Sequence, residues 1–382
     1  MRSWAILLIC ALLGACASAP PASRADHLLA DASFAPPSER IDPADVFAVS
    51  PAMRHYLQHD IASQLRQQGR QRALVEALYQ RGQLKLDYDA ATTRNAAQAF
   101  EARAGNCLSL VIMTAAFAKE LGMQVQFQSA WTEEAWSRNG DMYFRSGHVN
   151  AVLGKRALDL GRGYDFYTVV VDFLPQEAVR GLRTAPIDEQ TVVAMYMNNR
   201  AAEALLQGQL DDAYWWAREG MLQQPGYMGV VNTLGVVYRR HGDLARAAQV
   251  FRHALAHDPD NTRALANLAQ LLDQTGRSAE AAQLQRRLAQ LEPNPPFYYF
   301  NLGLAAMQNN DFKTARDLFA KEVARADYYH EFHFWLGLAS FKLGDYDAAR
   351  KQLTLAMENS GSRSDRDLYA AKLAWLKSQQ HP

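Results

Sequence analysis

The chain has 382 residues, 49% of them apolar, which is enough material for two or three domains with cores of their own. Forty basic and forty acidic residues cancel, so the sequence carries no electrostatic footprint for nucleic acid. No glycine-rich phosphate loop, dinucleotide fingerprint or zinc-type Cys/His cluster is written in it, and the implied chemistry needs no cofactor and no metal.

The first residues, Met1-Arg2 followed by WAILLICALLGAC, combine a positive start with an apolar run too short for a stable membrane span. They predict a secretory signal over 1–16. Leu13-Gly14-Ala15-Cys16 resembles a bacterial lipobox, which implies lipidation of Cys16 and a lipid-anchored envelope protein. Ordinary cleavage after Ala17 is the alternative. Ala17 behind Cys16, without an acidic residue, resembles signals for the outer membrane, at its periplasmic face. Residues 17–45 are rich in Ala, Pro and Ser with scattered charge, which predicts a flexible tether.

Residues 46–100 follow a helical period, with SPAMRHYLQHDIASQL and RQRALVEALYQR as amphipathic stretches. In GNCLSLVIMTAAFAKELGM, Asn106 reads as an N-cap, 108–121 as a buried helix and Gly122 as its stop. Cys107 becomes the first helical residue, where unpaired N–H groups and the helix dipole favour a thiolate. Because Cys10 and Cys16 lie in the leader, Cys107 is the one thiol of the folded body. An exported lone cysteine at a helix start points to reactivity more than to a disulfide.

Three strands are expected next, in MQVQFQSAW, SGHVNAVL and YTVVVDF, with a tight turn at Asn139-Gly140. The second puts His148 and Asn150 on one face. Antiparallel pairing of Val152 with Thr168 would set His148 opposite Asp172, a nucleophile, base and orienter in chain order.

On GNCLSL, GHVNAVL and VVVDFLP, the region resembles the transglutaminase-like superfamily, relatives of papain-like cysteine peptidases. The resemblance implies an α+β domain over 46–180, with Cys107 as nucleophile, His148 as base and acid, and Asp172 as orienter. It further implies attack on an amide or peptide bond through an acyl-thioester, with the Cys107 N–H in an oxyanion hole. Gln98 is a candidate for the second donor. The family's His-Ala-Trp and Asp-Pro signatures are replaced by His148-Val149-Asn150 and Asp172-Phe173, and Asp159 and Asp165 are rival orienters. A non-catalytic binding domain and an oxidant-sensing Cys107 are the other readings.

Pro175 to Thr191 is read as a link to a repeat array over 191–361. Gly208, Gly242, Gly276, Asn310 and Gly344 recur at one fixed spacing, as do Ala213, Ala247, Ala281, Ala315 and Ala349. A third column holds Ala201, Gly235, Ala269, Gly303 and Gly337, and Pro225, Pro259 and Pro293 mark boundaries. The period and small residues resemble tetratricopeptide repeats, which implies an all-α solenoid of five repeats that binds a protein or peptide. Carried over, the first-helix ligand face would hold Asn198, Asn232, Arg239, Arg240, Arg263 and Gln270. The aromatic stretches at 215–216, 297–300 and 328–335 read as repeat packing, and His330 with His333 lacks a third metal ligand. Residues 363–380 are expected to form a capping helix. The chain thus reads as a membrane-tethered repeat protein with a thiol site, or as a non-catalytic scaffold with the same tether.

Overall fold

The structure is a computed structural model. It describes residues 25–79, 84, 86–89, 92–139, 142–154, 168–173, 183–360 and 363–378, with main chain alone over 131–146. The signal, the lipobox with Cys16, Asp159, Asp165 and Gly140 lie outside the described residues. The chain divides into two compact units. One joins residues 25–43 to Val193–Pro259, and the other joins Ala44–Val192 to Asp260–Pro382.

In the second unit, α1 (Pro51–His55) starts from Ser50, whose hydroxyl accepts the Met53 N–H, and runs into a π turn over Tyr56–Asp60. Helices α2 (Ala62–Gln67) and α3 (Arg70–Tyr79) follow, so the first amphipathic stretch is broken rather than continuous. The short strand β1 (Asp87–Tyr88) precedes α4 (Ala96–Ala102) and pairs in parallel with β2 (Ala104–Gly105). This leads directly into α5 (Cys107–Glu120), which is buried on every side from Leu108 to Ala118. Such all-round burial needs the continuous apolar sequence found there.

A four-stranded antiparallel sheet follows: β3 (Gln124–Asn139), β4 (Met142–Gly154), β5 (Val169–Val171) and β6 (Arg183–Ile187), in the order β5-β4-β3-β6. Strand β6 corrects the expected link over 175–191. Residues 183–187 form an edge strand on Phe127 to Trp131, and Pro186 is tolerated because an edge has one unpaired side. The predicted β4–β5 register is also corrected, since Val152 pairs with Val170 and not with Thr168. A shift of two residues preserves the side-chain face, whereas a shift of one would have inverted it.

The repeat helices form five pairs. They are α6 (Glu189–Leu206) with α7 (Leu210–Gln223), α8 (Met228–His241) with α9 (Leu244–His257), and α10 (Thr262–Gln274) with α11 (Ser278–Leu291). The last two are α12 (Tyr298–Gln308) with α13 (Phe312–Arg325), and α14 (His330–Lys342) with α15 (Tyr346–Glu358). The final helix α16 covers Arg363–Ser378. Every member of the glycine column, with Asn310, has a left-handed backbone that ends the first helix and admits the second. The alanine column is fully buried at all five positions.

Gly235 and Gly303 show why the third column is small. A Cβ there would come within 2.4 Å of Phe251 and 2.5 Å of Phe319 respectively, in the second helix of the same pair. Phe297, Phe300, Phe319, Tyr329 and Phe332 make one buried aromatic cluster, as repeat packing requires. Helix α12 has no side-chain cap of its own, because Phe297 occupies that position in a left-handed conformation. The buried Glu322 carboxylate of α13 accepts the N–H groups of Tyr299 and Phe300 at 2.9 and 3.3 Å instead.

The tether expectation is corrected for residues 25–43. They form three short 3-10 turns, and Leu28 and Phe34 are buried against the first two repeats. Composition alone could not supply that core, because the apolar partners lie about 200 residues away in sequence.

Candidate functional site

Helix α5 presents Cys107 at its first position, half-buried. The Asn106 carboxamide oxygen accepts from the Ser109 N–H and hydroxyl, both at 2.9 Å, while its NH2 group donates to the Thr93 hydroxyl at 2.9 Å. The Ser109 hydroxyl also accepts the Arg94 N–H at 2.8 Å. This buried network fixes the turn before the thiol. Gly105 is sterically required beside it, since a Cβ would fall 2.7 Å from the Ser109 Cβ. The N–H groups of Cys107 and Leu108 sit in a first turn, where helix geometry offers no acceptor, so they can receive an oxyanion.

His148 is on the central strand β4 and is only 4% exposed. Next to it the β3–β4 ladder is irregular, slipping between Ala130 and Ala135. Such bulges re-aim neighbouring side chains. Extending the observed register places Asp172 opposite Asn150, so His148 and Asp172 are diagonal neighbours on one face. The His148 Nε2–H donates to both Asp172 oxygens at 2.8 and 2.7 Å. With Nε2 on the carboxylate, Nδ1 is the ring nitrogen left for the hydrogen bond with the Cys107 sulfur, whose ionised form favours the imidazolium. Burial by itself pushes His148 down. The Asp172 hydrogen bond, then the hydrogen bond and charge of Cys107, outweigh it and raise the group to about 9. The imidazole is therefore held as a cation at neutral pH. The sequence-predicted Cys107, His148 and Asp172 are brought together.

Two side chains at this site had no signal in the sequence. Tyr79, at the end of α3, donates its hydroxyl hydrogen to the Asp172 C=O at 2.5 Å and accepts the Asp172 N–H at 3.0 Å. Its ring stacks near Phe173, with centroids 5.9 Å apart. It clamps the main chain of the orienting residue from a helix nearly one hundred positions upstream. Tyr88 is paired with Gly105 through β1 and keeps 59% of its surface exposed, and it senses partial desolvation from its surroundings. That desolvation, then the charges of Cys107 and Asp89, push the group up to about 12. The Gln98 side-chain oxygen accepts the Asn95 N–H at 3.1 Å and completes the capping box of α4.

Of the residues expected to line a ligand face, Asn198 lies on α6, and Asn232, Arg239 and Arg240 lie on α8. Asn198 accepts from the Thr233 hydroxyl at 2.7 Å, which ties the first helices of these two repeats together. Arg263 and Gln270 lie on α10. His330 meets the Tyr369 hydroxyl at 2.7 Å, whereas His333 is held by Gln352 and the Asp327 C=O, also at 2.7 Å each. Among the described residues no cluster of three or more His, Cys, Asp or Glu side chains could hold a metal ion. Among the same residues no helix is long and apolar enough to cross a membrane.

Comparison with known proteins bears on the helical part. Two tetratricopeptide-repeat family models match residues 238–302 and 300–362. A TPR repeat-containing protein of Pseudomonas aeruginosa is 28% identical over 170 residues, 40% of this chain and 29% of that protein. The uncharacterised protein ycf37 of Guillardia theta is 28% identical over 107 residues, 26% of this chain and 60% of its own length. The chain thus spans under a third of the first relative and three fifths of the second. Among solved structures, one from a functional characterisation of Pseudomonas aeruginosa pilF covers 50% of this chain and 88% of its own, at 22% identity and a TM-score of 0.32. The C-terminal region carries tetratricopeptide repeats and has the all-α repeat fold. Repeats of this kind bind proteins or peptides.

Proposed function

We propose that this chain is a protein-interaction scaffold whose repeats hold an extended segment of a partner. The observation that carries the reading is the repeat array itself, with helix pairs kept in close register by Gly235 and Gly303. Polar first-helix side chains at Asn198, Asn232 and Arg239 suit the backbone amides and carboxylates of a bound peptide. The test places a photo-crosslinking residue at Gln209, in the turn of the first repeat, in the full chain. A discrete crosslinked partner that survives Cys107→Ala and is lost in the Asn232→Ala/Arg239→Ala double variant is expected. Crosslinks lost with Cys107 instead, or indifferent to both changes, would overturn the scaffold reading.

A second reading is favoured by one observation, the convergence of Cys107 and Asp172 on His148. In it the transglutaminase-like region acts on an amide. The Cys107 sulfur would attack the carbonyl carbon, and His148 would pass its proton to the leaving amine as the C–N bond breaks. The acyl-thioester would then be resolved by water or by an amine. Alkylation of Cys107 at pH 7 should slow at least tenfold in His148→Ala, and equal rates would remove this reading. The lipid anchor at Cys16 and a periplasmic face of the outer membrane complete the proposal. Metabolic palmitate labelling lost in Cys16→Ser, with fractionation of the wild type, tests both.

A further inference from the structure

Residues 25–43 are held by the first two repeats through contacts of the kind a receptor makes to a bound peptide. Several go to main chain. The Ala30 N–H donates to the Tyr214 hydroxyl at 2.8 Å, and the Tyr238 hydroxyl donates to the Leu28 C=O at 2.7 Å. Further along, the Ala35 N–H donates to Asp211 at 2.9 Å, and the Trp215 indole N–H donates to the Ala35 C=O at 2.6 Å. The Ser38 N–H and hydroxyl both donate to Asp212 at 2.7 Å. Main-chain recognition of this sort fixes the path of a segment whatever its side chains are.

Side-chain selection is added at three positions spaced by three. Leu28 is 1% exposed. Asp31 accepts from Arg218 Nε–H at 2.9 Å and from the Tyr214 hydroxyl at 2.6 Å. Phe34 stacks on Tyr214 with centroids 3.9 Å apart and planes 3° from parallel. The receiving groups are built for an occupant. Tyr214 and Tyr238 are fully buried, Asp212 is 9% exposed, and each of these three polar ends hydrogen-bonds to the segment. Without the segment those bonds would be lost.

We propose that this face of α7 and α8 is a peptide-recognition site whose resident ligand is residues 25–40 of the same chain, and that a partner bearing Leu-x-x-Asp-x-x-Phe competes for it. The site goes beyond the scaffold reading, because its groups are other than Asn198, Asn232 and Arg239. Either site can fail without the other.

The test uses a fluorescein-labelled peptide of residues 25–40 and the full chain. The resident segment is weakened by Phe34→Ala, and separately by Asp31→Ala with Ser38→Ala, a polar pair that leaves the buried Phe34 and Leu28 in place. Peptide anisotropy should show at least ~10-fold tighter binding to either weakened chain than to wild type. Adding Arg218→Ala should reverse the gain. Hydrogen exchange at the Ala30, Ala35 and Ser38 amides should be slow in wild type and fast in the Asp31→Ala/Ser38→Ala chain. Equal peptide affinity across these proteins, or no binding to any, would overturn the proposal. A concentration-dependent dimer held by these contacts would also overturn it, by giving the site to a second copy's segment.

Discussion

Replacing Asp172 by Asn removes a charge while keeping the size of the group beside His148 Nε2. In the wild type, His148 is raised from 6.5 to about 9 against the opposing effect of burial. A shift of that size corresponds to about 3 kcal/mol of preference for the cation in the folded state. Because the folded value lies above the unfolded one, this stabilisation is fully present below pH 6.5. It is lost as pH rises through about 9. In Asp172→Asn the burial penalty remains and its main opponent is gone, so His148 should titrate at least one unit lower. Proton–carbon correlation spectra of 13C-histidine protein between pH 5 and 10.5 read this directly, with His148→Ala assigning the resonance. Urea unfolding at pH 6 and pH 10 should give a larger loss for Asp172→Asn at the lower pH. A wild-type His148 titrating near 6.5, or a loss of stability independent of pH, would refute the charge-pair account of the site.

Tyr79→Phe keeps the ring beside Phe173 but frees the Asp172 main chain, so it should cost about 1 kcal/mol in urea unfolding and lower the His148 titration point. A merely structural tyrosine would change only the first of these. Gly235→Val and Gly303→Val should each cost about 2–3 kcal/mol by overpacking, read as a fall in Tm, because Phe251 and Phe319 already occupy the space. Gly226→Ala is the control, since its new Cβ would approach only the Gln224 side chain, at 3.6 Å. Glu322→Ala should cost about 2 kcal/mol by leaving the first turn of α12 uncapped, and Glu322→Gln, which keeps an acceptor oxygen, should cost less.

The repeats were legible because their signal is local and repeated. A small residue that lets two helices approach and a left-handed turn recur in one phase, and prolines mark three of the boundaries. The placement of Cys107 was legible for a similar reason, since an N-cap, a continuous apolar run and a glycine stop lie within one stretch of sequence. The pairing of β4 with β5 was legible only to within two residues. Side-chain alternation fixes which face a residue occupies and is blind to an even shift. Tyr79 was beyond reach, because its target is the Asp172 main chain, and main-chain groups leave no mark on residue choice elsewhere.

Residues 25–43 mark the limit of reading composition segment by segment. The stretch is too poor in apolar residues to build a core, and it builds none. It completes one that Tyr214, Tyr238 and Phe34 make together, with Asp31 and Ser38 matched to Arg218 and Asp212. The relevant sum is the apolar and polar complement of two segments about 180 residues apart, which no window along the chain contains. A tether and a bound peptide have the same composition, and what separates them is whether another part of the molecule carries the groups that receive it. The aromatic run at 215–216, read from sequence as repeat packing, divides between the two roles: Trp216 packs against Tyr196, while Trp215 serves the N-terminal segment.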